Sequence, residues 1–107
     1  MAACNMSEER ITLQMIKEAQ ERLKGVAQKT GLSYSNSVSD LAGYEVYLKL
    51  ENLQRTGSFK LRGAYNKVAS LTPEEREKGV IAASAGNHAQ GVALAATRRG
   101  IRSIVCM

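Results

Sequence analysis

Two segments of this chain each require a strand to pass into a helix through a loop of glycine and small polar residues. The first is Gly57-Ser58-Phe59-Lys60-Leu61-Arg62-Gly63, preceded by Glu51-Asn52-Leu53-Gln54-Arg55-Thr56. The second is Ser84-Ala85-Gly86-Asn87-His88-Ala89-Gln90-Gly91. Loops of this kind leave backbone N–H groups free at the positive end of a helix dipole, where an anion is held. The first segment also sets Lys60 in the opening turn of its helix, where a cation is electrostatically disfavoured. Schiff-base chemistry requires a neutral amine.

The surrounding pattern runs α, then β, then βαβ. Leu13, Ile16, Ala19 or Gln20, and Leu23 fall at helical spacing, with Thr12 as N-cap, Gly25 as the stop and Met15 in the packing surface. Residues 28–43, rich in Ser, Asn, Asp and Gly, read as a loop with one short helical turn. From Glu45 to Glu51 apolar and polar residues alternate, which predicts a strand burying Val46, Leu48 and Leu50 and exposing Tyr47, Lys49 and Glu51. A helix over 58–71 should bury Leu61, Ala64, Tyr65, Val68 and Leu71. Thr72-Pro73-Glu74-Glu75 has the form of a helix start, with proline in the first position and acids in the first turn. Val80 to Ala83 reads as a strand, 87–98 as a helix ended by Gly100, and Ile101 to Cys106 as a further strand. Strand, helix, strand with short connections implies a right-handed parallel unit.

Composition narrows the function. Hydrophobic residues are 44% and charged residues 23% of the 107, as in soluble globular chains. No apolar run approaches a membrane span, and the first ten residues lack the form of a signal peptide. Cys4 and Cys106 stand at opposite ends, which makes neither a disulfide framework nor a metal site, so reduced thiols in a cytoplasm are expected. The formal net charge of +5 is dispersed and aromatics are 5%, which argues against nucleic acid and is compatible with small anions.

Among the candidate residues, Asn87 has two readings: a helix N-cap, or an amide donating to a phenolate oxygen of a bound cofactor. Ser84 and Gly86 either form the turn alone or leave N–H groups free at a strand end, where open α/β sheets bind ligands. His88, the only histidine, has no neighbouring carboxylate in sequence to orient it as a base. Arg55, beside Thr56, is either solvated or a phosphate ligand. Neither G-x-x-x-x-G-K-[ST] nor G-x-G-x-x-G occurs. The paired loops and Lys60 together suggest a pyridoxal phosphate site.

The run from Val46 to Asn66, with Leu50-Glu51-Asn52-Leu53-Gln54-Arg55-Thr56-Gly57-Ser58-Phe59-Lys60 at its centre, closely resembles threonine ammonia-lyases (threonine dehydratases), which are fold-type II pyridoxal phosphate enzymes. The second segment resembles the other signature of that family. The resemblance implies an α/β fold, part of a doubly wound, mainly parallel sheet. Residues 1–45 would be a leading segment of the large domain and 46–107 the first half of the small one. Lys60 matches the lysine that carries the cofactor, pyridoxal 5′-phosphate, and Asn87 the asparagine on its 3′-oxygen. Ser84, Ala85, Gly86, Asn87 and His88 match the loop that receives the substrate carboxylate. Lys29-Thr30-Gly31-Leu32 resembles the biodegradative branch, in which Arg55, Thr56 and Gln90 match positions of an AMP-activator site.

The implied reaction takes L-threonine to 2-oxobutyrate and ammonia, with L-serine as a second substrate, in a cytoplasmic homo-oligomer. Ala85 stands where related serine racemases have a serine acid/base, which favours elimination over racemisation. Nothing matches the family's glycine-rich phosphate cradle, so the chain is expected to be an N-terminal piece, inactive by itself. The alternatives are a serine dehydratase or racemase, or a non-catalytic remnant that acts by association through an open sheet edge.

Overall fold

The computed structural model describes residues 10–107. Helix α1 spans Leu13–Leu23, and the Thr12 hydroxyl accepts the Met15 N–H at its start. Gly25, at φ +73°, lies just beyond its end, in the left-handed conformation that glycine adopts freely. The apolar stripe of α1 is largely uncovered. Leu13, Met15 and Ile16 are exposed and only Leu23 packs on the core, so the expected packing role of Met15 is not met within the described residues.

Residues 28–43 hold more structure than their composition predicts. Strand β1 (Leu32–Tyr34) pairs antiparallel with β2 (Tyr47–Lys49), and helix α2 (Asn36–Ala42) lies between them. The Ser35 hydroxyl caps α2, and Gly43 ends it in the left-handed region. Strand β2 is shorter than expected, and residues 51–53 form a 3₁₀ turn. The burial expected for one face of β2 is corrected: Leu48 is exposed and Val46 and Leu50 are only half-buried, because among the described residues no layer packs on that side of the ribbon.

The core lies further along the chain. Helix α3 (Lys60–Ala69) buries Leu61, Ala64, Tyr65 and Val68, the predicted face, and Leu71 joins them just past its end. Helix α4 (Pro73–Lys78) starts with a capping box: Thr72 Oγ1 accepts the Glu75 N–H, and the Glu75 carboxylate accepts the Thr72 N–H. Strand β3 (Val80–Ala83), helix α5 (Asn87–Arg99) and strand β4 (Ser103–Cys106) form the expected parallel unit, with Val80 opposite Ser103 and Ala83 opposite Cys106. Gly100 ends α5 at φ +64°. Helices α3 and α5 pack together through Leu61, Val92, Ala95 and Ala96, all buried. The fold is thus α/β with a small parallel sheet, and its apolar face is incomplete: Ile81 is 71% exposed and Ile104 50%. Cys106 is a free, exposed thiol, and Cys4 lies outside the described residues.

Candidate active site

The approach to Lys60 is a tightly bonded turn. The Gly57 N–H donates to the Gln54 carbonyl at 2.8 Å, with Gly57 at φ +70°. Ser58 is buried, and its hydroxyl accepts the Lys60 N–H at 3.3 Å. Lys60 is the first residue of α3 and its side chain is exposed. Among the described residues its ammonium has no hydrogen bond or ion pair, so it is free to meet a ligand. Leu61, one residue on, is fully buried and fixes the helix beneath it.

The second segment begins at the end of β3. The Ser84 N–H donates to the Cys106 carbonyl at 2.9 Å, extending the sheet by one bond. The Ser84 hydroxyl then accepts the Gly86 N–H at 3.3 Å and closes the turn. Gly86 is the N-cap of α5, and no side chain caps the helix. Asn87 is its first residue, so the N-cap reading of Asn87 falls: the start lies one residue earlier and the carboxamide stays exposed. Among the described residues the N–H groups of Ala85, Asn87, His88 and Ala89 have no acceptor, and the Gln90 N–H reaches only the Gly86 carbonyl, at 3.3 Å. Such a row of N–H groups at a helix start suits an anion.

Gly91 brings the two segments together. A Cβ at this position would stand 3.2 Å from the Leu61 nitrogen and from the Lys60 carbonyl carbon and oxygen. The first turn of α3 therefore meets α5 at its fifth residue, backbone to backbone, an approach that a side chain would obstruct. The amine-bearing helix start thus lies against α5 one turn past its N–H-rich start.

Other candidates are placed less decisively. Arg55 is exposed and Gln90 is exposed on α5. Thr56 is half-buried, and its hydroxyl oxygen is the one buried side-chain polar atom without a partner among the described residues. His88 lines a cleft of about 510 Å³ with Lys67, Ala82 and Val92, while Lys60 and Asn87 do not line it. No group of three or more metal-ligating side chains gathers among the described residues.

Sequence reasoning missed a polar knot behind the Lys60 turn. Alternation put Lys49 and Glu51 on a solvent face, yet the Glu51 carboxylate accepts the Thr30 hydroxyl at 2.6 Å and lies 3.6 Å from Lys49 and 3.8 Å from Arg62. The Thr30 bond is the main cause that holds the Glu51 carboxyl below its ordinary value, with Gln54, Arg62 and Lys49 acting in the same direction against desolvation. The Glu51-x-x-Gln54 spacing around a turn was the available signal.

Residues 23–107 match the family model described as "Pyridoxal-phosphate dependent enzyme". The chain belongs to this family. Its cofactor is pyridoxal 5′-phosphate, and the free amine and the free N–H row are compatible with an anionic ligand of that kind. Over 97 residues the chain is 63% identical to "L-threonine ammonia-lyase" of Thermotoga maritima, covering 91% of this chain and 24% of that relative. It is 53% identical over 97 residues to "L-threonine dehydratase catabolic TdcB" of Escherichia coli K12, covering 91% of this chain and 30% of the relative. The crystal structure of serine racemase from Dictyostelium discoideum superposes with a TM-score of 0.83 at 45% identity, over 89% of this chain and 31% of that one. The chain therefore spans less than a third of the length of these relatives.

Proposed function

We propose that this chain is the lysine-bearing part of a pyridoxal-phosphate-dependent L-threonine ammonia-lyase, which forms 2-oxobutyrate and ammonia from L-threonine and pyruvate from L-serine. The observation that carries the reading is the Gly91 contact, which sets the Lys60 helix start against α5 one turn beyond Asn87. In this reading Lys60 holds the cofactor and Asn87 donates to its 3′-oxygen. When bound, pyridoxal 5′-phosphate supplies the electron sink for the negative charge at the substrate Cα. The free N–H groups at Ala85, Asn87 and His88 hold the substrate carboxylate, with Ser84 and Gly86 shaping the loop. Lys60 Nζ, once free, takes the Cα proton, and the β-hydroxyl departs as water. The enamine formed takes water back and releases ammonia, so the elements balance. Ala85 offers no hydroxyl to return a proton on the opposite side, which supports elimination over racemisation.

The reading extends to a homo-oligomer in the cytoplasm, with residues 1–45 in the large domain and 46–107 in the small one. Among the described residues no helix is long and apolar enough to cross a membrane. Arg55, Thr56 and Gln90 are proposed to contribute to an AMP site, and Arg55 and Gln90 are exposed to receive it. The test is a chimera in which residues 11–107 replace the matching segment of the Thermotoga relative. Incubated with L-threonine and with L-serine, it should release 2-oxobutyrate and pyruvate. A folded chimera that yields D-serine as its main product, or no keto acid, would overturn the proposal.

A further inference from the structure

We infer that Gln54 and Glu51 are positioning residues for Lys60, clamping the turn that presents its amine to residues 28–30, a segment far earlier in the chain. The inference rests on Lys60 being the amine that holds the cofactor.

Gln54 is 3% exposed, and its carboxamide is fully used. Its Nε2 donates to the Gln28 carbonyl at 2.8 Å, and its Oε1 accepts the Gln28 N–H at 2.9 Å. The same Nε2 lies 3.2 Å from Glu51 Oε2, a second acceptor. A buried carboxamide destabilises a fold unless its donor and acceptor are both paired. Here one backbone residue satisfies both, so only one register of residue 54 against residue 28 is allowed. The main chain of Gln54 continues the clamp, because its carbonyl closes the Gly57 turn at 2.8 Å.

Glu51 acts from the other side. It accepts the Thr30 hydroxyl at 2.6 Å, while Lys49 Nζ donates to the Thr30 carbonyl and hydroxyl at 2.8 Å each. Its second oxygen lies 3.8 Å from the Arg62 guanidinium, two residues past Lys60 on α3. The chain from 54 to 62 is thus tied down before and after Lys60. Without these ties Arg55 to Ser58, with Gly57 among them, would sample many conformations. Reacting groups misplaced by about 1 Å lose about a hundredfold in rate, so the ties matter to an amine that must meet a ligand at one angle.

The test uses the chimera carrying residues 11–107 in the Thermotoga relative, loaded with pyridoxal 5′-phosphate, with borohydride trapping and peptide mapping. Trapping reports the presentation of the amine even where affinity is low, and exposed Lys67 on the same helix is the internal reference. Gln54→Met keeps the volume and loses both bonds to Gln28. Gln54→Glu keeps the acceptor for the Gln28 N–H and sets a carboxylate against the Gln28 carbonyl. With the helical far-ultraviolet signal unchanged, each should lower the ratio of Lys60 to Lys67 label about tenfold, as a displacement of under 1 Å would. Should Gln54→Met lose that signal, Gln54→Glu decides. An unchanged ratio in a helical variant overturns the inference and leaves the Lys60 reading standing. Absence of label from Lys60 in the unsubstituted chimera overturns both.

Discussion

Replacing Gly91 by alanine tests the contact that joins the two loops, and its magnitude follows from a paired control. Both Gly91 and Gly63 lie within helices, and alanine there gains about 1 kcal/mol in helix propensity over glycine. At Gly63 a Cβ meets nothing within 4 Å, so Gly63→Ala should stabilise by up to that amount. At Gly91 the Cβ would stand 3.2 Å from three backbone atoms of Lys60 and Leu61. Those atoms cannot rotate aside as a side chain would, and Leu61 is 0% exposed, so α3 has no slack behind it. Overpacking of this kind costs about 1–3 kcal/mol, which exceeds or cancels the propensity gain. Because the propensity gain is common to both, the difference between the two variants isolates the steric cost of about 1–3 kcal/mol. Urea unfolding followed by helical ellipticity measures it. In a domain of this size each kcal/mol corresponds to a shift of roughly 4–8 °C in Tm. Equal stability of Gly91→Ala and Gly63→Ala would refute the close approach of α3 and α5.

Further outcomes follow from other positions. Gly79→Ala should destabilise by more than about 2 kcal/mol in urea titration, because a non-glycine residue is strained there; Gly79 has φ +81° and ψ −170°, and a Cβ would stand 2.6 Å from the Arg102 carbonyl oxygen. Asn87→Ala should change stability by no more than about 0.5 kcal/mol, since Gly86 is the N-cap and the carboxamide makes no cap bond. In the chimera, Asn87→Asp should shift the visible absorbance of bound cofactor and its pH titration, and an unchanged titration would remove Asn87 from the cofactor site. Glu51 is held below its ordinary value of 4.5 when folded, so its contribution is complete above pH 4.5 and is lost as pH falls through the lowered folded value. Urea midpoints measured from pH 7 downward should therefore fall more steeply for the unsubstituted chain than for Glu51→Gln.

Where the chain carries local instructions, the fold was legible. Helix α3 was readable because Leu61, Ala64, Tyr65 and Val68 recur at helical spacing and all four are buried. Thr12, Thr72-Pro73 and Gly100 marked helix ends through bonds made within a few residues. The segment 28–43 was misread because Ser, Asn and Asp lower both helix and strand propensity, although Ser35 and Gly43 cap α2 as such residues commonly do. The buried face assigned to β2 failed for a different reason. Alternation states which residues share a face, and a packing layer decides burial. The bonds from Gln54 to Gln28 span 26 positions and have no periodic signature at all. At the candidate site, the two loops and Lys60 could be read from residue type. Their juxtaposition could not, because it depends on the helix–helix contact at Gly91.

The central claim is that Lys60, and not another lysine, is the amine that works in this site. Lys67 is its strongest rival, since it lies on the same helix and lines the cleft beside His88. The decisive measurement is 2-oxobutyrate release from L-threonine by chimeras carrying Lys60→Ala or Lys67→Ala, each verified as folded. Lys60→Ala should lower turnover by about a thousandfold or more, as loss of a group that acts on the reacting atoms does, while Lys67→Ala should stay within about threefold of the unsubstituted chimera. Substantial turnover by Lys60→Ala, or its loss in Lys67→Ala alone, would contradict the account.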